Sequence, residues 1–310
     1  MVNSKIKVLY IAGFERSGST IVNRVLGQIK DFVAWGELRD IWEHGIIENR
    51  PCTCGTSFAD CPAWQEIFNK AFDGANKIDT TEMSHLQKKA RLMVLPHYFK
   101  LLKDRVFRQK LTVYLTNLEK LYQSIQTTTG SKVIVDSTKA SWYGYVLGLL
   151  PSIDLYVVHV VRNPKGVCYS LQQHKNKGEA PSQWYNPLRA SLSWNFKNYA
   201  VELLLKSQQK PYLRINYEDF VTHPQIAVQQ ILDLLDEKIT ELPFVSESEV
   251  KMSTDHLVTG SPSSRSETGI VSLKLDEKWK RNMVFRDKLI ISGLTFPLLY
   301  SYKYFNFKSS

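Results

Sequence analysis

The sequence predicts an α/β fold: a central parallel sheet with helices on both faces and an added helical excursion at about residues 62–129. Apolar strand-like segments alternate with segments of helical periodicity, which is the pattern of βαβ units. Residues 155–161 form a continuous apolar run, as expected of a strand buried on both faces. Near the N-terminus, an apolar segment leads into a glycine-bearing loop and then a helix. We expect residues 1–310 to form a single domain.

The individual elements follow from the same two periodicities, with glycine and proline as boundary signals. The first strand is predicted at residues 6–12, and its helix at 17–29. Further strands are predicted at 32–35, 132–136, 155–161 and 212–215. Helices are predicted after residue 139 up to about residue 150, from Pro164 onward, and at 188–207, 224–235 and 289–300. Loops are predicted at 176–187 and 253–272.

The helical excursion is lysine-rich over residues 80–129, and its leucines are spaced for one buried face. Pro96 is expected to interrupt or kink it. A compact insert precedes it at residues 51–64 and contains Cys52, Cys54 and Cys61. Three such cysteines could be zinc ligands, but the local pattern lacks a fourth. A disulfide or ordinary loop packing is therefore favoured, and no metal is expected to be required.

The net charge of +10 fits an anionic ligand, and equally a nucleic acid or an anionic surface. The chain has no arginine-rich tract, recognition-helix pattern or zinc-finger spacing, so nucleic-acid binding is not expected. No secretory signal is evident, and the apolar run near the C-terminus is too short to span a bilayer. A cytoplasmic location is the prediction, and the oligomeric state stays open.

Polar clusters follow several predicted strands at their carboxyl ends. Ligands of open parallel sheets bind at those ends, so we expect the clusters to form one active site. The clusters lie at residues 16–17, 37–39, 137–139 and 162.

The loop after the first strand imitates a nucleotide P-loop, in which backbone N–H groups and a helix N-terminus bind phosphate. Its sequence is Gly13-Phe14-Glu15-Arg16-Ser17-Gly18-Ser19-Thr20. Ser19 stands where the phosphate-binding lysine of a P-loop would be, and the cation has moved to Arg16. This displacement argues against ATP or GTP chemistry and favours another phosphate-like donor.

A second cluster joins Arg162, at the end of a strand, to Ser170, a little over two helical turns further on. A guanidinium fork and a hydroxyl together suit a phosphate group. A surface ion pair and an ordinary helix serine would give the same two residues. Their occurrence together with the first loop favours the phosphate interpretation.

These segments resemble the sulfotransferases that use 3′-phosphoadenosine-5′-phosphosulfate (PAPS). The first loop is similar to their 5′-phosphosulfate loop, and residues 161–165 with Ser170 are similar to their 3′-phosphate motif. Residues 214–220, 256–265 and 276–279 and the cysteine insert are also similar to segments of the family or of its bacterial members. The resemblance runs from Lys7 to Trp279, and the helical excursion is its least covered part.

The resemblance implies sulfonate transfer from PAPS, with 3′,5′-ADP as product. Arg16 would contact the sulfonate and the leaving oxygen; many family members have lysine there. The donor-binding residues implied are Gly13, Arg16, Ser17, Gly18, Ser19, Thr20, Arg162, Ser170, Tyr217 and Arg265. Sulfuryl transfer between two oxygens depends mainly on positioning and on stabilising charge.

Glu37 is the candidate general base, because residues 36–39 are similar to the Gly-Glu-x-Arg stretch of protein-tyrosine sulfotransferases. The alternative is a structural Glu37–Arg39 ion pair. Lys139 resembles a lysine that steadies the sulfonate in the same relatives, although a solvent-exposed lysine at a helix start is an equal alternative. The rival bases are three histidines, His44, His159 and His174, of which His159 is expected to be a core residue.

Two other functions stay open. A P-loop kinase or ATPase would need Asp136 as its magnesium ligand, and a basic nucleic-acid or polyanion-binding module would lose affinity steeply with salt. The acceptor is not readable; the family's acceptors include sugars, phenols, peptides, polyketides and alkaloids, so a role in secondary metabolism is a family-based expectation. Several aromatic side chains could line an acceptor pocket but are more typical of a core: Tyr98, Phe99, Trp142, Tyr143, Trp184 and Tyr185.

Overall fold

The computed structural model describes residues 5–94, 105–176, 186–260 and 267–304. Its centre is a five-stranded, all-parallel sheet in the order β2-β3-β1-β4-β5. The strands are β1 (Ile6–Gly13), β2 (Phe32–Ala34), β3 (Val133–Lys139), β4 (Ile153–Val161) and β5 (Tyr212–Asn216). All five correspond to predicted strands, so the α/β prediction with a P-loop-like parallel sheet is confirmed.

The central strand β1 separates two halves of the sheet. The chain builds β2 and β3 on one side of it, and β4 and β5 on the other. The connections that follow β1 and β4 therefore lead in different directions, and a crevice opens at the carboxyl ends of the strands. The register pairs Gly13, the last residue of β1, with Val160 of β4.

Both faces of the sheet are covered, because side chains of β1 alternate between two apolar clusters. Val8 and Tyr10 pack with the helical excursion on one face, while Leu9 and Ile11 pack with helices on the other. The covering helices, in chain order, are α1 (Ser19–Leu26), α2 (Pro62–Phe72), α3 (Thr80–Ala90), α4 (Arg105–Thr129), α5 (Ser141–Gly148), α6 (Pro164–Asn176), α7 (Pro187–Ser207), α8 (Tyr217–Thr222), α9 (Pro224–Leu235), α10 (Lys278–Asn282) and α11 (Phe285–Ser301).

The predicted excursion is observed as α2, α3 and the 25-residue helix α4. Pro96 and its expected kink lie outside the described residues, as do Tyr98, Phe99, Trp184 and Tyr185. Tyr143 is fully buried in the core, in keeping with the core interpretation of the aromatic residues.

The predicted loop at residues 253–272 is partly wrong. Its last four residues form β7 (Gly269–Ser272), which pairs antiparallel with β6 (Glu249–Met252). The many Ser, Thr and Gly residues of this segment favoured a loop. The two-stranded ribbon forms because β7 pairs with β6, and this pairing is not visible in the local sequence. In the part of the chain that the structure describes, no helix combines the length and the apolar character needed to cross a bilayer.

Candidate active site

The loop after β1 adopts the backbone that its glycines permit. Gly13 has φ +150° and Gly18, the residue before α1, has φ +88°, while Arg16 between them has φ 64°. A Cβ on Gly18 would lie 2.3 Å from Cδ2 of Tyr217, a contact that no side chain could make. The Tyr217 ring therefore packs directly against the loop backbone because residue 18 has no side chain.

Arg162 ties three segments together at the end of β4. Its Nη1 donates to the backbone oxygen of Arg16 (3.1 Å), and its Nη2 donates to Oδ2 of Asp276 (3.1 Å). Its guanidinium lies 4.6 Å from the centre of the Tyr217 ring. With 6% of its surface exposed, Arg162 is held rigidly while one side faces the crevice. Its charge is therefore presented in one fixed geometry.

The two predicted phosphate clusters meet directly. Nε of Arg16, in the loop after β1, donates to Oγ of Ser170 in α6 at 3.0 Å. These residues are 154 positions apart in the sequence. The predicted 5′-phosphosulfate loop and the predicted 3′-phosphate motif thus form one continuous polar surface.

Glu37 and Lys139, two of the predicted catalytic residues, form an ion pair with each other. Both side chains are largely buried, with 14% and 12% of their surface exposed. Arg39, the alternative partner considered for Glu37, instead pairs with Asp40 at 2.9 Å. The alternative of a structural Glu37–Arg39 pair is therefore not observed.

Asp136 organises the turn that carries Lys139. Its Oδ1 accepts from both the backbone N–H (2.9 Å) and the hydroxyl (2.6 Å) of Thr138, and its Oδ2 accepts from the hydroxyl of Tyr122 (2.6 Å). The backbone N–H of Arg39 also donates to the Thr138 hydroxyl (3.2 Å). Asp136 is completely buried, and burial raises its pKa to about 6. Both oxygens are thus already engaged within the protein, which argues against a magnesium-binding role.

Neither His44 nor His159, two of the three rival bases, lines the crevice. Both ring nitrogens of buried His159 have partners, the hydroxyl of Tyr212 (2.7 Å) and Oδ1 of Asn198 (2.9 Å), and burial lowers its pKa to about 4. The expectation that His159 is a core residue is confirmed. His44 lies 3.5 Å from Asp40, and this interaction raises its pKa. The side chain of His174 lies outside the described residues.

A crevice of about 570 Å³ opens over the carboxyl ends of the strands. Nine of the predicted site residues line it: Arg16, Gly18, Ser19, Thr20, Glu37, Lys139, Arg162, Ser170 and Tyr217. Gly13 and Ser17 do not line it: a Cβ on Gly13 would meet the backbone oxygen of Val160 at 2.4 Å, and Ser17 is 1% exposed. Arg265 lies outside the described residues, but Gly260 and Glu267, on either side of its segment, line the crevice.

Sequence reasoning missed part of the lining. Glu15, Lys274 and Asp276 also line the crevice, so its lining carries both acidic and basic groups. Burial alone would raise the pKa of Glu15, but its ion pair with Lys197 outweighs this effect and lowers the pKa. Lys274 belongs to no sequence motif. It lines the crevice because it follows β7, which ends at Ser272.

The C-terminal lining is held in place by Arg24 of α1, which is 1% exposed. Its guanidinium pairs with Asp255 at 2.5 Å and donates to the backbone oxygen of Glu267 at 2.5 Å. Helical periodicity predicts apolar residues on the buried face of a helix. The buried Arg24 and its contacts could therefore not be predicted from periodicity. Arg24 therefore ties residues 255 and 267, on either side of Arg265, to α1, the helix that follows the P-loop-like loop.

The chain is similar to known proteins in sequence and in fold. The sequence model described as the sulfotransferase family matches residues 9–241. The sulfotransferase domain of the Synechococcus PCC 7002 olefin synthase superposes with a TM-score of 0.50 at 18% identity, over 96% of each chain. The sulfotransferase domain from the curacin biosynthetic pathway gives a TM-score of 0.49 at 19% identity, over 94% of this chain and 98% of that one.

At such identities the structural likeness concerns the fold alone. No curated protein matches the chain in sequence. The family model, however, spans far more than half of the chain, from within β1 to six residues beyond α9, and includes the loop after β1, Arg162 and Ser170. By this match, the chain belongs to the sulfotransferase family.

Proposed function

We propose that the protein is a PAPS-dependent sulfotransferase that moves a sulfonate group to a hydroxyl or amine of a small or medium-sized acceptor. The observation that carries the proposal is the contact between Arg16 and Ser170, which joins two anion-binding clusters in one crevice. A donor with phosphate groups at both the 5′ and 3′ positions needs two such clusters at a fixed separation. An ordinary nucleotide would use only one of them.

The residues present suit such a donor. The loop after β1 leads into the N-terminus of α1, where the positive end of the helix dipole favours a phosphate group. The buried hydroxyl of Ser17 has no hydrogen-bond partner among the described residues. Arg162 offers a rigid guanidinium fork, at present shared with Asp276, that could exchange this carboxylate for a phosphate.

The ion pair between Glu37 and Lys139 suits the acceptor side of the reaction. Glu37 would accept the proton of the attacking hydroxyl, and Lys139 would stabilise negative charge on the transferring group. Arg16 would stabilise charge at the leaving oxygen. PAPS, when bound, supplies the sulfonate itself. Because positive charge and position suffice for this chemistry, no residue of the crevice needs to hold a metal.

The kinase or ATPase alternative has less support. Ser19 replaces the phosphate-binding lysine, and both oxygens of Asp136 are already hydrogen bonded within the protein. The acceptor class, whether sugar, phenol, polyketide or alkaloid, stays a family-based expectation. A role in secondary metabolism likewise stays a family-based expectation.

Isothermal titration with 3′,5′-ADP, 5′-AMP, ADP and ATP tests the proposal, each with and without magnesium. We expect 3′,5′-ADP to bind tightest, without any need for magnesium. Arg162→Ala should weaken the binding of 3′,5′-ADP by about 2 kcal/mol, roughly 30-fold, because it removes a charge-assisted pair. The binding of 5′-AMP should change far less. Arg189→Ala, at an exposed arginine of α7, controls for the loss of one positive charge.

Equal losses for 3′,5′-ADP and 5′-AMP in Arg162→Ala would remove Arg162 from 3′-phosphate recognition. Tight, magnesium-dependent binding of ATP would instead support the kinase or ATPase alternative. Binding of single-stranded nucleic acid with a steep salt dependence, in the absence of 3′,5′-ADP binding, would support the polyanion-binding module.

A further inference from the structure

A second cluster of reactive side chains lies outside the crevice. Cys52, Cys54 and Cys61 of the insert converge on His256, and their ligand atoms all lie within 4.8 Å of one another. Nδ1 of His256 is 3.2 Å from Sγ of Cys61 and 3.9 Å from Sγ of Cys52. Sγ of Cys54 is 3.7 Å from Sγ of Cys61. We call these four residues the Cys3His cluster.

The fold supplies the fourth ligand that the local sequence lacks. His256 is 195 positions from Cys61, so no spacing rule could have connected them. The chain's four cysteines are free thiols in the structure, so the disulfide, one of the two favoured alternatives, is not observed. Ordinary packing does not explain either why three thiols and an imidazole nitrogen converge within 4.8 Å, since apolar contact imposes no such convergence.

Hydrogen bonds beside the cluster join the insert to residues 255–257 without using the four side chains of the cluster. Oγ1 of Thr53 donates to the backbone oxygen of Asp255 (2.6 Å) and accepts from the backbone N–H of Leu257 (2.9 Å). Nε1 of Trp64 donates to the backbone oxygen of His256 (3.1 Å). These bonds bracket both sides of the cluster and pre-organise its geometry, which lowers the entropy cost of filling it.

The donor set selects the metal. Three thiolates and one imidazole are the ligands of structural zinc, and hard cations such as magnesium or calcium avoid them. Tetrahedral zinc with sulfur at about 2.3 Å places neighbouring sulfurs about 3.8 Å apart. The 3.7 Å between Cys54 and Cys61 matches this separation without rearrangement. A set of four protein ligands leaves no open position for a substrate.

We propose that the Cys3His cluster binds one structural zinc ion. None of its four residues lines the crevice, so the site is separate from the proposed sulfonate chemistry. The ion would clamp the start of the C-terminal segment to the insert. Val258, two residues after His256, donates its N–H to the backbone oxygen of Trp35 (3.1 Å), and Glu37 follows Trp35 by two residues. The zinc therefore supports the strand end from which Glu37 projects.

Metal analysis of the purified full chain tests the proposal. After expression with zinc and gel filtration without chelator, mass spectrometry of the metal content should give about one zinc per chain. Cys61→Ser and His256→Ala should each lower this content several-fold, because three ligands hold zinc far less tightly than four. Cys168→Ser, which removes a buried thiol outside the cluster, should retain the zinc.

The unmodified chain provides a test that does not depend on the folding of the variants. Stepwise addition of a mercurial thiol reagent, with a zinc indicator dye present, should release zinc as the cluster thiols are consumed. Replacement by cobalt should give the visible absorption of a tetrahedral thiolate complex. A chelator should lower the melting temperature.

Three results would overturn the proposal: zinc-free protein that also gives no cobalt bands, full zinc content in both cluster variants, or a Cys54–Cys61 disulfide after anaerobic purification. None of the readouts requires donor binding or turnover. The proposal therefore stands or falls separately from the proposed function.

Discussion

At the scale of single residues, Glu37 is the position where the alternatives were hardest to separate from sequence. Its neighbours in the sequence include Arg39, and a local pair between them was a reasonable alternative. The structure pairs Glu37 with Lys139, which is more than one hundred positions away, and pairs Arg39 with Asp40. The proposed base and the proposed sulfonate-steadying cation thus lie side by side, as they would have to in order to act on one acceptor.

Glu37→Gln separates catalysis from structure at this position. The amide keeps the size of the side chain but cannot take a proton, so turnover should fall by roughly two to four powers of ten. The affinity for 3′,5′-ADP should change little. Steady-state kinetics, calorimetry and a thermal melt on one preparation provide the three readouts.

Glu43→Gln is the matched control, because Glu43 is a half-exposed carboxylate paired with Lys88 near the same strand end. Its turnover should stay close to that of the unmodified enzyme. Near-normal turnover in well-folded Glu37→Gln would exclude Glu37 as the base. His174 would then be the next residue to test.

At the scale of elements, the junction of β1 and α1 depends on a close approach of Tyr217. Gly18→Ala adds a Cβ where only 2.3 Å is available and where φ is +88°. The loop must move, so the affinity for 3′,5′-ADP should fall about tenfold or more, as if one charge-assisted hydrogen bond were lost. Calorimetry measures the affinity, and chemical denaturation measures the free energy of unfolding.

Gly130→Ala isolates the steric part of this effect. Gly130 also has a positive φ, +65°, but a Cβ there would meet nothing within 4 Å. It should cost only the backbone strain, about 1 kcal/mol of unfolding free energy, and leave donor affinity unchanged. Equal effects of the two substitutions on affinity would show that the contact with Tyr217 does not shape the loop.

The packing of β4 against α7 predicts a pH dependence through His159. Burial lowers its pKa to about 4 from an ordinary 6.5, so the unfolded chain binds the proton more readily. The stabilisation from neutral His159 is complete above pH 6.5 and is lost as the pH falls toward 4, at roughly 1.4 kcal/mol per pH unit. The destabilisation caused by His159→Gln should therefore be larger at pH 7 than at pH 5.

Comparing the two proteins at each pH is necessary, because burial raises the pKa of Asp136 to about 6 and its titration acts in the opposite direction over an overlapping range. Denaturant melts at the two pH values provide the comparison. His85→Gln, at an exposed histidine of α3, controls for the loss of a histidine as such. A pH-independent effect of His159→Gln would mean that the native ring is not held neutral.

At the scale of the whole molecule, the buried pair of Arg24 and Asp255 joins the C-terminal segment to the sheet domain. Only 1% and 7% of the two side chains are exposed. Asp255→Ala would leave a buried guanidinium without its counter-charge and should lower the free energy of unfolding by about 3–5 kcal/mol. Glu277→Ala breaks the exposed pair with Lys280 and should cost at most about 1 kcal/mol. If denaturant melts show similar losses of unfolding free energy for Asp255→Ala and Glu277→Ala, the Arg24–Asp255 pair does not hold the C-terminal segment.

The sequence by itself determined the sheet and most of the crevice. Strand and helix periodicity is local, so all five parallel strands and several of the helices beside them could be predicted within a few residues, whereas the short helices α8 and α10 were not predicted. The carboxyl ends of parallel strands lie at one edge, so the clusters at Arg16, Glu37, Lys139 and Arg162 could be assigned to one site before any contact was known. The motif spacing of Arg162 and Ser170 added the family resemblance.

The tertiary structure decided which distant groups are partners. Glu37 could have paired with Arg39 or Lys139, and three cysteines could have formed a disulfide, a packed loop or part of a metal site. The ribbon of β6 and β7, the buried Arg24 and the position of His256 beside the cysteines were equally invisible in the sequence. Each depends on contacts between residues far apart in the chain, and local periodicity carries no information on such contacts because the packing of the whole chain determines them.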